Sequence, residues 1–139
     1  MSASKLFSEI FEDFEKAETK EERIKVLRQN YHPLFRDFLI LAFNPNIVFD
    51  VEVPNYRPAP EPAGLNYTYL DLEIPKLYRF IKDHPKRNPN LSEKKKTQLL
   101  GVILEALHKD EADLLVKVIK KQFKVKNLTV KLVQEAYGL

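Results

Sequence analysis

Apolar residues recur at helical spacing in seven stretches of this chain, and this periodicity constrains its fold more than any other feature. In residues 5–16, five apolar side chains fall on one helical face and four acidic side chains on the other. The remaining stretches are residues 21–30, residues 34–43, a region that begins near Thr68 and is disturbed at Pro75, and three that follow Ser92, Asp110 and Thr129. The sequence therefore predicts an all-α protein of six or seven helices.

The middle of the chain departs from this pattern. Residues 47–53 (Ile-Val-Phe-Asp-Val-Glu-Val) partly alternate and are rich in β-branched residues, which predicts a short extended segment. No pairing partner is evident nearby, so we expect this segment to cross the helical core irregularly. Residues 54–62 contain four prolines and cannot form regular structure. The expected architecture is a single helical domain over residues 1–139, with a short extended crossing and a Pro-rich loop.

Four polar residues are expected to begin helices: Thr19, Ser92, Asp110 and Thr129. Each precedes an apolar stretch, and each carries a side-chain oxygen that can accept a hydrogen bond from an unpaired backbone N–H of the first helical turn. We therefore expect these residues to be N-caps.

The three histidines, His32, His84 and His108, are far apart and each stands at an expected helix boundary. An imidazole at such a position commonly caps the helix or packs against it. The alternative is a metal site, in which His108 acts with Asp110 and Asp113. Helix-cap aspartates explain the same spacing, so we favour the structural interpretation.

Composition excludes several classes of protein. The chain has no cysteine, so it has no disulfide framework, thiolate nucleophile or cysteine-ligated zinc. No apolar run approaches the roughly 20 residues that span a bilayer, and residues 1–5 lack the apolar stretch of a secretory signal. These features favour a cytoplasmic protein that does not act in a membrane.

The net charge of +3 conceals a gradient along the chain. Residues 1–75 carry a balance of −5, whereas residues 76–139 carry a balance of +8. Such an asymmetry indicates that one part of the chain faces a polyanion or an acidic partner.

The basic residues of the second half form two clusters. In the later cluster, Lys117, Lys120, Lys121 and Lys124 have the spacing of one helical face. Helical proteins also carry solvated lysines near helix carboxyl ends, where a cation complements the helix dipole. The candidate nucleic-acid-binding residues are Lys117, Lys120, Lys121, Lys124, Lys126 and Lys131 in the later cluster, and Lys86, Arg87, Lys94, Lys95 and Lys96 in the earlier one.

The end of the chain carries a resemblance to a known family. An acidic helix start at residues 110–115, an apolar stripe that ends in basic residues at 118–125, a tight turn and a short helix at 129–139 follow in order. This order resembles the end of the N-terminal helical domain of ATP-dependent DNA ligases, particularly those of T-even-like phages. Ligases usually have a glycine in the turn, where this chain has Lys126-Asn127. A family of small phage proteins of unassigned role also looks similar, including residues 107–111.

The resemblance implies a stand-alone DNA-binding domain without the nucleotidyltransferase domain of a ligase. It implies phosphate contacts for Lys120, Lys121, Lys124 and Lys126. The nucleotidyl-accepting Lys-x-Asp-Gly motif is absent, because Ala63, Leu100 and Tyr137 precede the three glycines. There is no glycine-rich phosphate loop. We therefore expect no enzymatic activity, cofactor or small-molecule substrate.

The expected partner is double-stranded or nicked DNA, bound through its backbone without sequence preference, in the cytoplasm of the host if a phage encodes the chain. No pattern rich in Arg, Asn and Gln predicts base reading in the major groove. The alternative is a protein-interaction module that docks on a phage or host protein. Its contact surface would then be the acidic first half and the Pro-rich loop.

Three tyrosines of the middle segment, Tyr56, Tyr67 and Tyr69, have two possible roles. They can stack on exposed bases, as aromatic side chains do in single-strand binding sites. More commonly, such residues attach a Pro-rich loop to the core, and we favour this interpretation.

Overall fold

The structure is a computed structural model that describes residues 5–139 as seven α-helices and one 3₁₀ helix. The all-α prediction is confirmed. None of the helices in the described part of the chain is long and apolar enough to cross a membrane. The helices are α1 (Phe7–Lys16), α2 (Lys20–Gln29), α3 (Pro33–Phe43), α4 (Leu70–Glu73), the 3₁₀ helix (Ile74–Phe80), α5 (Glu93–Ala106), α6 (Lys109–Ile119) and α7 (Val130–Tyr137).

Five phenylalanine rings form the centre of the core. Phe7 and Phe11 of α1 pack on Phe35 and Phe38 of α3, with ring centroids 5.1–5.7 Å apart. Phe123, which follows α6, packs against Phe11 at 5.3 Å and against Phe38 at 5.5 Å. Tilted and edge-on pairs of this kind add stabilisation beyond the area they bury. The cluster therefore joins α1, α3 and the segment after α6.

Helix α7 is attached to α2 by side chains that bind backbone carbonyl groups. The Arg28 side chain donates from Nε to the carbonyl oxygen of Ala136 at 2.9 Å, in the last turn of α7. In the other direction, the Tyr137 hydroxyl donates to the carbonyl oxygen of Leu27 at 3.1 Å. Burial raises the pKa of the Tyr137 hydroxyl, so it remains a donor. The last helix is thus fixed to the second one.

The extended segment has a partner that the sequence did not reveal. The N–H of Asp50 donates to the carbonyl oxygen of Phe80 at 2.6 Å, and the N–H of Lys82 donates to that of Val48 at 2.8 Å. These bonds form a single antiparallel bridge, and no strand occurs within residues 5–139. The expected extended crossing is therefore anchored to the end of the 3₁₀ helix.

The Pro-rich loop continues along α5. A Cβ atom on Gly101 would lie 3.3 Å from Cγ of Pro54, so the loop approaches the helix closely at this position. Further along, the N–H of Arg57 donates to the Glu105 carboxylate at 3.0 Å. The loop is therefore packed on the surface of the domain over part of its length.

Three of the four predicted N-caps are confirmed. Thr19, Ser92 and Thr129 each accept a hydrogen bond from the backbone N–H three residues later. The prediction for α6 was wrong, because its N-cap is His108, whose Nδ1 accepts from the N–H of Asp110 at 3.2 Å. An imidazole nitrogen supplies the same kind of acceptor as a cap oxygen.

The other histidines also accept backbone hydrogen bonds. His32 Nδ1 accepts from the N–H of Leu34 at 3.1 Å and caps α3, and His84 Nδ1 accepts from the N–H of Lys86 at 3.1 Å. The capping interpretation is confirmed for His32 and His108, whereas His84 accepts its bond within a turn. Among residues 5–139, no group of three or more His, Cys, Asp or Glu side chains is placed to hold a metal ion.

Two apolar residues of the helices lie at the surface. Val102 of α5 is 69% exposed, and Ile40 of α3 is 43% exposed. In α5 the buried stripe runs through Lys96, Leu100 and Ile103, so it is rotated away from Val102. A lysine, Lys96, is therefore part of the buried face of α5.

Candidate nucleic-acid interface

A sharp reversal of the chain after α6 interrupts the later basic cluster. The N–H of Lys121 donates to the carbonyl oxygen of Val118 at 3.1 Å, and the N–H of Gln122 donates to that of Lys117 at 2.8 Å. This pair of bonds defines a Schellman motif, in which the residue after the C-cap takes a left-handed conformation. That residue is Lys121, with φ +57°. The helical face expected to carry residues 117–124 therefore ends at residue 120.

Lys121 is engaged within the protein. Its Nζ donates to the carbonyl oxygens of Leu41 at 2.8 Å and Asn44 at 3.2 Å, at the carboxyl end of α3. It also lies 5.7 Å from the centre of the Phe49 ring, and burial lowers the pKa of the ammonium. The cation of Lys121 thus caps α3, and its phosphate contact stays a prediction.

The remaining lysines of this cluster are exposed. Lys117 forms an ion pair with Asp113 at 3.0 Å, one turn earlier on α6. The others have no carboxylate within ion-pair distance in the described part of the chain. These unpaired lysines, which we call the C-terminal basic segment, are Lys120, Lys124, Lys126 and Lys131.

A tight turn divides the C-terminal basic segment. The N–H of Leu128 donates to the carbonyl oxygen of Val125 at 3.0 Å, and Asn127 has φ +69°. Asparagine adopts this left-handed conformation more readily than most non-glycine residues. The turn that was expected at Lys126-Asn127 therefore forms without glycine.

Lys96, in the earlier cluster, is not available to a nucleic acid. Its side chain is 1% exposed, and Nζ lies 2.7 Å from the Glu93 carboxylate. The same nitrogen donates to the carbonyl oxygen of Asp50 at 2.8 Å and lies 3.4 Å from its carboxylate. A buried cation requires such partners. The assignment of Lys96 to a nucleic-acid interface was therefore wrong.

Arg87 belongs to the same internal network. Its guanidinium donates to the Asp50 carboxylate at 3.2 Å and to the carbonyl oxygen of Ile81 at 3.0 Å, and its side chain is 19% exposed. The hydrogen bond from Arg87 lowers the pKa of Asp50. Arg87 thus has a structural role, and its DNA contact stays a prediction.

The other three residues of the earlier cluster, Lys86, Lys94 and Lys95, are exposed. Lys94 and Lys95 lie in the first turn of α5, where unpaired backbone N–H groups already carry partial positive charge. Two lysines at this end add to that potential, so the surface attracts anions.

The three tyrosines of the middle segment differ in environment. Tyr69 donates from its hydroxyl to the carbonyl oxygen of Gly64 at 2.8 Å, and Tyr56 is half-buried, which raises the pKa of its hydroxyl. Tyr67 is 89% exposed. The favoured interpretation, attachment of the loop, fits Tyr56 and Tyr69 but not Tyr67.

The sequence analysis missed one buried carboxylate, Glu111. Its side chain accepts from the N–H of Phe7 at 3.3 Å and from that of Leu70 at 3.1 Å, and the residue is 1% exposed. These N–H groups belong to the first residues of α1 and α4. Burial raises the pKa of Glu111 to about 7, although the two backbone donors act in the opposite direction.

A sequence signal for Lys96 and Glu111 does exist. Glu111 shares its helical face with the buried Leu115 and Val118, as Lys96 does with Leu100. A charged residue inside an apolar stripe at helical spacing is thus a candidate for a buried, paired charge.

Neither the curated proteins nor the solved structures contain a match to this chain. One family model does match, over residues 10–125, which begin within α1, include α2 to α6 and end at the start of the tight turn. The earlier basic cluster and most of the later one lie inside the matched region. Because the match extends over most of the sequence, the chain belongs to the family of unknown function DUF6433.

Proposed function

We propose that this protein is a non-catalytic DNA-binding accessory protein of phage DNA metabolism, which acts in the host cytoplasm. It binds duplex or nicked DNA through the phosphate backbone. The observation that supports this proposal is the C-terminal basic segment, whose four lysines are exposed and form no ion pair with any residue that the structure describes. The exposed Lys94 and Lys95 at the start of α5 provide a second positive surface.

The chemistry of these residues favours binding without sequence preference. Lysine ammonium groups act as point charges that position a protein on phosphates and carry no base information. The residue types that read base edges by bidentate hydrogen bonds are arginine, asparagine and glutamine. The one arginine of the candidate set, Arg87, is already bonded to Asp50. The exposed set therefore suits backbone contacts.

The test is the salt dependence of binding to labelled duplex, nicked and single-stranded DNA, followed by fluorescence anisotropy. Four phosphate contacts should give a log–log salt slope of about −3.6. Replacing Lys120, Lys124, Lys126 and Lys131 with Gln should bring the slope close to zero, with a similar loss for unrelated sequences.

A matched control keeps the change in net charge the same. It replaces four other exposed lysines, Lys16, Lys25, Lys82 and Lys109, with Gln. We expect this control to retain most of the wild-type slope. An equal loss of salt slope in both variants would show that only the net charge matters. No DNA binding by the wild type at low salt would overturn the proposal.

A second candidate function is a protein-interaction module that docks on a phage or host protein. It is favoured by the exposed apolar side chains around the end of the Pro-rich loop: Leu65 is 70% exposed, Tyr67 89% and Leu72 53%. Clustered exposed apolar side chains are typical of protein-binding surfaces. A pull-down that depends on these three side chains, with no DNA binding at low salt, would support this candidate over the first.

A further inference from the structure

A cavity of about 470 Å³ opens where the start of α1, the loop before α4 and the start of α6 meet. Three carboxyl side chains line it: Glu9 of α1, Asp71 of α4 and Glu111 of α6. The cavity has the size of pockets that hold small ligands, which measure about 300–1,000 Å³. It can therefore accommodate a long side chain.

Within residues 5–139, the acidic side chains that line this cavity are not paired with basic side chains. Lys5 is the cation among its lining residues, and its ammonium is paired with Asp13. Glu9 accepts from the N–H of Leu6 at 2.8 Å, and Glu111 accepts from two backbone N–H groups. Among the residues that the structure describes, none of the three carboxylates forms an ion pair with a basic side chain.

The rim of the cavity is apolar and exposed. Leu72 lines the cavity and is 53% exposed, and Leu65 follows the lining residue Gly64 and is 70% exposed. Tyr69, also in the lining, is held by its hydrogen bond to Gly64. An apolar rim around a charged interior fits a protein partner better than a free ion, since the partner can cover the rim while it inserts a charge.

We propose that this cavity receives an arginine side chain of a protein partner, and that apolar residues next to this arginine cover Leu65 and Leu72. A guanidinium offers five N–H donors in a planar fork, which suits several carboxylates that converge from different elements. The site is separate from the proposed DNA contact, because no lysine of the C-terminal basic segment lines the cavity. Phosphate groups are repelled by the Glu9 and Asp71 carboxylates in its lining.

The first experiment uses a minimal probe, the peptide acetyl-Leu-Arg-Leu-amide, titrated to 5 mM against the full chain and followed by amide NMR. The shifts should concentrate at Phe7, Leu70 and the loop around Gly64. The matched peptide with citrulline has the same shape without the charge, and we expect it to bind at least tenfold more weakly. Equal binding of the two peptides, or no shift with the arginine peptide, would overturn the proposal.

The second experiment tests the carboxylates. In the double variant Glu9→Gln and Asp71→Asn, the new amide at position 9 retains an oxygen for the Leu6 N–H, so α1 keeps its cap while the cavity loses two charges. Affinity for the arginine peptide should fall at least tenfold. The control variant, Glu15→Gln with Glu21→Gln, removes two exposed carboxylates outside the cavity and should bind as the wild type does.

Spermidine serves as the third arm, because a polyamine supplies positive charge without apolar neighbours. It should bind more weakly than the peptide. If spermidine binds as tightly, or if the double variant binds the peptide unchanged, the cavity is not a site for a protein side chain. None of these results bears on the DNA-binding proposal, because that proposal is tested with variants of other residues.

Discussion

The ammonium nitrogen of Lys96 lies 2.8 Å from the backbone carbonyl oxygen of Asp50 and 3.4 Å from the carboxylate of the same residue. The two residues are 46 positions apart, so this contact joins α5 to the extended segment. Arg87 binds the same carboxylate and brings the loop before α5 into the network. The irregular middle of the chain is thus held by charged groups, in a domain whose helices are held by apolar ones.

Removal of the Lys96 side chain should destabilise the protein. Lys96→Ala deletes a buried aliphatic stem, and we expect a loss of about 2–5 kcal/mol in the free energy of unfolding. Lys96→Met keeps most of the stem but leaves the Asp50 carbonyl unbonded, at a cost of about 1–3 kcal/mol. Urea denaturation measures both values. The neighbouring Lys95→Ala, at an exposed position, should change stability by less than about 0.5 kcal/mol; equal effects at the two positions would contradict the buried network.

The charge of Glu111 should make stability depend on pH. Its pKa is about 7 in the folded protein, against an ordinary value of 4.5, so the folded state holds this proton more tightly than the unfolded state. The resulting stabilisation is fully present below about pH 4.5 and is lost as the pH rises through 7. The shift corresponds to about 3 kcal/mol.

Two variants isolate this effect. Glu111→Gln does not titrate, so its unfolding free energy should lack the decline between pH 5 and 8 that the wild type shows in chemical denaturation. Glu9 on α1 and Asp71 on α4 raise the pKa of Glu111 and remain in place. Asp113→Asn, at an exposed position on the same helix, should retain the wild-type pH profile. A profile that is the same in wild type and Glu111→Gln would refute the assignment.

Three consecutive residues of α3 provide an internal comparison for core packing. Phe38 and Leu39 are 1% and 2% exposed, whereas Ile40 is 43% exposed. Truncation of Phe38 or Leu39 to Ala should cost about 2–5 kcal/mol each. Ile40→Ala should cost less than either, because much of its side chain already contacts water. Thermal unfolding of the three variants would contradict this ranking if Ile40→Ala were the least stable.

The side chain of Lys121 stabilises the fold through two hydrogen bonds, whereas its left-handed backbone conformation costs free energy. Lys121→Ala and Lys121→Gly both lose the hydrogen bonds to Leu41 and Asn44, but only alanine retains the cost of a left-handed φ. The glycine variant should therefore be more stable than the alanine variant by about 1 kcal/mol. A lower melting temperature for Lys121→Gly than for Lys121→Ala would show that the backbone at this position is not strained.

Local sequence patterns predicted the helices and most of their caps because both depend on residues within one or two turns. The hydroxyl of Ser92, for example, needs only the N–H of Lys95. The pairing of Val48 with Lys82 could not be predicted in this way, since it connects residues that no local pattern relates. The candidate interface also depends on contacts between residues far apart in sequence. Lys95 and Lys96 are adjacent and chemically equal, yet only Lys96 binds Asp50.

The bonds that fix α7 to α2 also bear on the order in which the domain forms. An eight-residue helix is not stable alone in water, so α7 becomes ordered only when α2 receives it. That contact joins residues 110 positions apart, a slow step that follows local helix formation. During synthesis on the ribosome, the carbonyl oxygen of Leu27 lacks the Tyr137 hydroxyl until α7 has emerged. The side of α2 that receives α7 is therefore completed only after most of the chain has been made.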